Sequence, residues 1–251
     1  MSNRIMFLII TAFILICANI NNVFSQYFYK PKISAGIITT DILGDNRAKL
    51  PMVATSDEDD AYTGGSFGFT QPGIAIRAIL PTDQYETLKL TGGIDYVLFS
   101  GRERIVVNRN IVHLLRHDVN MLAVVGGADY VLAELGFANA KIYTGAELKL
   151  NYFHSIKAER YENYLRDNER DNTYIHPSKS EALRLGGVIK FGVEGRIRNR
   201  FYVNTGVALG IINAVGRDDS RGELLTPLKL LENAESPVST FQVIILLQYT
   251  L

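Results

Sequence analysis

From about residue 33 to the C-terminus, the chain keeps placing apolar side chains at every second position, in runs of about ten residues. That period belongs to a strand with two unlike faces. In residues 241–251, Phe241, Val243, Ile245, Leu247, Tyr249 and Leu251 share one face, while Gln242, Gln248 and Thr250 take the other. Residues 183–196 set Leu183, Leu185, Ile189, Phe191 and Val193 against Arg184, Lys190, Glu194 and Arg196. Residues 201–211 and 141–153 repeat the pattern, the second with Lys141, Glu147, Lys149 and Asn151 on its polar face. Residues 87–99 oppose Lys89, Thr91 and Asp95 to an aliphatic face. In 119–132 only Asp129 marks the polar side, with Val119, Met121 and Val125 blurring it. Two weaker segments, near 33–41 and 66–80, bring the expected strands to eight; the second carries Arg77, and Pro72 there marks a bulge or an edge.

The N-terminus differs. Arg4 precedes an uncharged apolar run from Ile5 to about Ala18, and Val23-Phe24-Ser25 offers small residues where a signal peptidase reads. A run of roughly 14 residues is short against the ~20 of a spanning helix. Residues 1–25 therefore read as a cleaved signal peptide and 26–251 as one exported domain. Cys17 is the single cysteine and would leave with the signal, so no disulfide framework is expected. Twenty-six basic residues balance 26 acidic ones, which gives no field to gather nucleic acid. No later apolar run reaches helix-spanning length, so any passage through a membrane is by strands.

The connections alternate long, short, long, short, long, short, long, as in membrane barrels with long outer loops and short periplasmic turns. A tight PTDQ turn joins strands two and three, and Arg198-Asn199 joins six and seven. Residues 100–118 read as a hairpin prolonged past the core, turning at Asn108-Arg109-Asn110. The charged 155–181 segment reads as a loop. In the last connection, Thr226-Pro227 resembles a helix start, with a short helix expected to about Ala234.

Two environments compete for the apolar face: the core of a soluble barrel, or lipid. A solvated polar face would be crowded with charges. Here it is mostly small (Gly36, Gly145, Gly186, Gly192, Gly206, Ala208, Gly210), with about one charge per strand, which suits a narrow lumen enclosed by eight strands. Tyr96, Tyr130, Tyr152, Phe201 and Tyr249 stand near strand ends on the apolar face, as an interfacial aromatic girdle does. The expected fold is all-β: a closed, antiparallel, eight-stranded up-and-down transmembrane barrel.

With its signal peptide, the paired segment VGGADYVL…KIYTGAELKLNYF and the terminal FQVIILLQYTL, the mature chain resembles the small eight-stranded outer-membrane β-barrels, of the type found in Bacteroidota-like bacteria. The resemblance implies a Gram-negative outer membrane, contact with its lipid and lipopolysaccharide, and insertion by the barrel assembly machinery. Tyr249 and Leu251 fit the C-terminal signal read by that machinery. Leu251 stands where an aromatic is usual, and Ile244 or Leu246 where glycine is frequent.

The polar set expected in the lumen is Arg77, Lys89, Asp95, Asp129, Glu147, Lys149, Arg184, Lys190, Glu194 and Arg196. A cation-rich constriction would favour anions; an interlocked plug of salt bridges is the stronger reading, because buried charge is tolerated only when paired. No catalytic, cofactor or metal site is expected. His154-Ser155 and His117-Asp118 are adjacent in sequence and so should point to opposite faces of a strand. Asp57-Glu58-Asp59-Asp60 lacks the spacing of a calcium loop. Three function classes follow: a surface-interaction barrel meeting a protein partner or lipopolysaccharide through loops 42–65, 155–181 and 212–239; a porin-like conduit for small solutes or lipophiles; and a subunit of a secretion or assembly complex.

GGIDYVL at 92–98 returns as GGADYVL at 126–132. If the intervening hairpin turns at Arg109, paired residues sum to about 218. Asp129 then faces Lys89 as a cross-strand ion pair, while Asp95 faces Ala123. Tyr96 and Tyr130 fall at opposite rims.

Overall fold

The computed structural model describes residues 29–54, 62–165, 171–176, 179–218, 220–227 and 235–251. The signal peptide, the acidic run Asp57–Asp60 and the helix expected up to Ala234 lie outside the described residues. In chain order the strands are β1 Lys32–Ile42, β2 Val53–Ala54, β3 Tyr62–Thr63, β4 Gln71–Pro81, β5 Leu88–Asn108, β6 Ile111–Leu135, β7 Ala140–Tyr164, β8 Asn172–His176, β9 Ala182–Arg198, β10 Phe201–Val215 and β11 Ser239–Thr250. Among the described residues one 3-10 turn spans Arg47–Lys49, and β2 pairs with β3.

The other nine strands form one antiparallel sheet that closes on itself. β4 pairs with β1, and β5, β6 and β7 each pair with the strand before. The sheet continues through β9, β10 and β11, and β11 returns to β1 from Lys32↔Thr250 to Ile42↔Thr240. Closure gives each of the eight wall strands a hydrogen-bonded neighbour on both sides over the shared part of the ring. The ninth strand was not expected: β8 adds to the far end of β7, Ala158↔His176 to Glu162↔Asn172, outside the ring. The charged segment read as a loop is therefore partly sheet, because β7 runs on to Tyr164. Likewise residues 66–70 are not strand. Positive φ at Gly64 and Ser66 turns the chain, and Ser66 and Phe67 are buried.

Side chains alternate as the period requires. On β5, Leu88, Leu90, Ile94, Tyr96 and Leu98 face out, and Lys89, Thr91, Asp95, Val97 and Phe99 face in and are buried. From Leu88 to Leu98 the apolar face runs roughly 33 Å along the strand, or about 25 Å at a ~40° tilt, the height of a barrel's lipid band. Beyond it the outward residues turn polar: Ser100, Arg102, Arg116, Asp118, Lys157 and Glu159. The hairpin β5–β6 continues past that line and turns after Asn108, with Leu88↔Tyr130 and Lys89↔Asp129 in register.

The repeated glycine pairs meet in this hairpin, Gly92 directly opposite Gly126. Within each pair the two glycines differ. A Cβ on Gly93 would lie 2.0 Å from the Ile76 carbonyl oxygen, and one on Gly127 would lie 2.1 Å from that of Ala146. A Cβ on Gly92 would meet nothing closer than 3.7 Å, and one on Gly126 nothing within 4 Å. The second glycine of each pair lets neighbouring backbones approach on the inside of the curve. Gly126→Val is expected to fold with a melting profile near wild type. Gly127→Val, whose Cβ collides with backbone, should lose ~3 kcal/mol or more or fail to fold, as read by heat-dependent mobility on cold SDS gels.

Candidate functional site

The interior holds two layers of opposite character. Toward the end carrying the short turns, inward side chains are ionic. Arg77 on β4 pairs with Asp95 on β5, and its second amino group lies 3.5 Å from Glu147 on β7. Lys149 reaches Asp95 at 3.0 Å and donates to the Gln242 side-chain oxygen at 2.8 Å. Lys190 on β9 lies 2.8 Å from Asp129 and 2.7 Å from Glu147. One level nearer the turns, Glu194 pairs with Lys32 and, at 2.7 Å, with Lys89. Glu86, from the β4–β5 turn, takes Lys32 at 2.8 Å and Lys141 at 3.3 Å. Each of the eleven charged residues is buried apart from Lys141, which is partly exposed. The sign of nearly every charge is answered within 4 Å, as burial requires.

Eight residues of the sequence-derived set, Arg77, Lys89, Asp95, Asp129, Glu147, Lys149, Lys190 and Glu194, lie in this network. The remaining two do not. Arg184 is buried near the opposite mouth, where its guanidinium holds both carboxylate oxygens of Glu235, at 2.6 to 3.1 Å. Arg196 is exposed: β9 bulges past it, Phe201 pairing with Arg198 and Tyr202 with Arg196, so its side chain stands at the rim in water. The Lys89–Asp129 ion pair also fails despite correct register. Lys89 turns to Glu194 and Asp129 to Lys190, because a narrow ring brings side chains from across the lumen within reach. Lys32, Glu86 and Glu235 carry no sequence signal for the interior, and Lys141, on the polar face of its strand, stands outside the sequence-derived set. Lys32 sits at the start of a weakly patterned strand, and Glu86 and Glu235 lie in connections where no periodicity marks an inward face.

Above the ions the interior is apolar. Ile38, Val97, Phe99, Val119, Met121 and Phe153 from the wall pack with Phe67, Leu224 and Leu225 from the two long connections. Val119 and Met121, which blurred the polar face of their strand, belong to this layer. The connections are pinned by a wall histidine and by one another. His117 Nδ1 lies 3.3 Å from the Gly65 carbonyl, its ring 4.8 Å from that of Phe67. Lys179 donates to the Glu223 carbonyl at 2.7 Å and to the Thr226 hydroxyl at 2.9 Å. Arg221 donates to the Ser180 and Leu224 carbonyls. Burial, with the Arg221 charge beside it, pulls Lys179 down to about 7.

The expected girdle residues occupy both ends of the outward apolar face. Tyr96 and Tyr152 flank His154 at the end of the long connections, Tyr152 stacking on it at 5.5 Å and Tyr96 tilted at 6.1 Å. Phe201 and Tyr249 pack together at 5.2 Å at the other end, the end that also carries Tyr130, which pairs with Leu88. One inference from adjacency does not hold. Ser155 sits in a bulge with φ of 53°, which brings its hydroxyl to 3.0 Å from His154 Nδ1 on the same face. The nearby carboxylate, Glu181, accepts from the Tyr152 hydroxyl instead of orienting the imidazole. His113 Nε2 lies 3.3 Å from Glu162, and Asp118 accepts from Arg102, Arg116 and Ser100. Among the described residues no cluster of His, Cys, Asp and Glu is arranged to hold a metal, and no helix is long and apolar enough to cross a membrane.

No protein-family model matches the sequence, and no curated protein matches it. Among solved structures, the chain is similar to Neisserial surface protein A, at 12% identity and a TM-score of 0.47, covering 88% of this chain and 97% of that one. It is also similar to Ail, the attachment invasion locus protein of Yersinia pestis, at 9% identity and a TM-score of 0.37. In the structure of Ail with the heparin analogue sucrose octasulfate the TM-score is 0.39, and both Ail matches cover 88% of this chain and 98% of that one.

Two predictions come from the interior. Asp95→Asn leaves Arg77 and Lys149 short of a counter-charge and should cost about 3–5 kcal/mol, whereas Arg102→Ala, on an exposed pair, should cost under ~1 kcal/mol; thermal unfolding in detergent separates them. The second concerns His117, which lies past the end of the outward apolar face, between the exposed Arg116 and the part-exposed Asp118. Burial lowers its pKa from 6.5 to about 4. The unfolded state therefore takes the proton first. Stability from the neutral ring is complete above pH 6.5 and is lost as pH falls toward 4, by about 3 kcal/mol in all. Hydrogen exchange at Gly65–Phe67 should quicken over that window in the wild type and not in His117→Phe.

Proposed function

We propose that the chain is an integral outer-membrane β-barrel, exported by residues 1–25, whose closed interior serves stability and whose long connections face outward for surface interaction. The observation that carries this is the outward face. A closed ring with an aliphatic exterior about 25 Å tall, bounded by aromatics and then by charge, has the chemistry of a wall in lipid. Ile37, Ile74, Val124, Leu148, Ile189 and Leu209 are each more than half exposed on that face. In water such a surface would far exceed the few hundred Å² that a soluble monomer leaves open.

The interior argues against conduction. Its charges are matched pair by pair, the Glu86 turn occupies one mouth, and Phe67, Leu224 and Leu225 fill the other. A surface role, with the connections 43–70 and 216–238 and the β5–β8 extension as contact elements, fits better than a porin-like conduit. The partners this reading allows are outer-membrane lipid, lipopolysaccharide and a protein partner, with the barrel assembly machinery needed for insertion.

Fractionation should recover the chain in outer membranes, resistant to carbonate; recovery in the soluble periplasm would sink the reading. Purified protein in planar bilayers should stay silent at high loading. Regular conductance steps whose ion selectivity shifts in Lys190→Glu would favour the conduit instead.

A further inference from the structure

Above the lipid band one wall strand loses a neighbour. Pairing of β4 with β5 stops at Gly73↔Val97, yet β5 continues paired to β6 as far as Asn108. From Leu98 onward one edge of β5 has no strand beside it among the described residues. One backbone donor on that side is capped: Ser100 N–H donates to the Gln71 side-chain oxygen at 2.8 Å. That bond also fixes direction. In an extended strand, alternate residues turn both N–H and C=O to the same edge, so Arg102, Arg104 and Val106 aim theirs at the vacant side. No described group meets these backbone atoms.

Natural edges are usually blunted by proline, by brevity or by a covering element. This one has no proline between Leu98 and Asn108 and spans about 20 Å over its last seven residues. Its outward side chains are basic, then apolar: Arg102, Arg104, and Val106, which is 65% exposed. Asp118 accepts from Arg102 at 2.8 Å and also from Arg116, while among the described residues Arg104 has no acidic partner within salt-bridge distance.

We propose that this edge of β5 receives an extended acidic segment of a partner protein as an added strand. Main-chain bonds to Arg102, Arg104 and Val106 would supply affinity, and carboxylates opposite the two arginines would supply selectivity. A second copy of this chain fits poorly. Upright in the same membrane, it would bring β5 alongside β5 in parallel and set arginine beside arginine. The proposal rests on the outward-facing reading above, since only then does a partner meet this edge from outside the cell.

The test uses the full chain folded in detergent micelles and a fluorescent eight-residue peptide of alternating Glu and Val. Saturable binding is expected, at least tenfold weaker with Lys in place of Glu and at least tenfold weaker when the peptide's alternate backbone nitrogens are methylated. Val106→Pro removes a donor that β6 does not use, and should weaken binding tenfold while heat-dependent gel mobility stays normal. Should that variant not fold, the methylated peptide on wild-type protein carries the backbone test. Arg102→Glu with Arg104→Glu should reverse the preference toward the Lys peptide. Absence of binding, or equal binding of the methylated or Lys peptide, overturns the proposal. Binding in micelles without labelling of intact cells would count against the outward orientation and leave the edge assignment supported.

Discussion

Pairing of the first wall strand with the last governs everything else in this molecule. On the proposed membrane reading, a β-sheet that meets hydrocarbon has no water to satisfy an open edge; the observed closure of β1 on β11, from Lys32↔Thr250 to Ile42↔Thr240, meets that demand. Closing at eight strands fixes the circumference, and a small circumference leaves little room inside. Inward positions then have three solutions: no side chain, an apolar side chain packed against others, or a charge with its partner across the lumen. The sequence uses all three, in that order of demand, at the crowded bends, the upper layer and the lower layer.

The layers do different work. Burying ions is costly, and a matched network roughly returns that cost instead of adding net stability. What it supplies is selectivity of arrangement: Lys190 between Asp129 and Glu147, or Glu194 between Lys32 and Lys89, is satisfied in one register only. The apolar layer, with Phe67, Phe99, Met121 and Phe153 all nearly inaccessible, carries the favourable burial. It also recruits the long connections. Phe67, Leu224 and Leu225 reach down into the mouth, so the outer segments are part of the core and not merely draped over it.

Period-two alternation made the eight wall strands legible because one face is uniformly aliphatic, and the register of β5 on β6 followed from a single turn residue. The same signal marked Asp95, Asp129, Glu147 and Lys190 as inward. It could not assign ion partners, since these are set by distance across a closed ring and not by neighbours in a strand. Nor could it find Glu86, whose turn folds back into the lumen, or expose Arg196, which a bulge leaves at the rim. Bulges also broke the adjacency rule at Ser155. Alternation is informative only while the backbone keeps its count, and it loses the count where strands curve or leave the wall.

That limit explains the repeated GGxDYVL. Each copy crosses the same band on antiparallel neighbours, so each must solve the same geometry: a tyrosine at the boundary, a buried aspartate, and a bend that lets the next strand close in. The glycine directly opposed to its counterpart, Gly92 to Gly126, leaves space on the outward face; the next one, Gly93 or Gly127, removes the Cβ that would strike a neighbouring carbonyl. The two aspartates land at different heights and serve different cations, Asp95 with Arg77 and Lys149, Asp129 with Lys190. Repetition here reflects one wall thickness met twice from opposite directions, and the chemistry hung on each copy is free to differ.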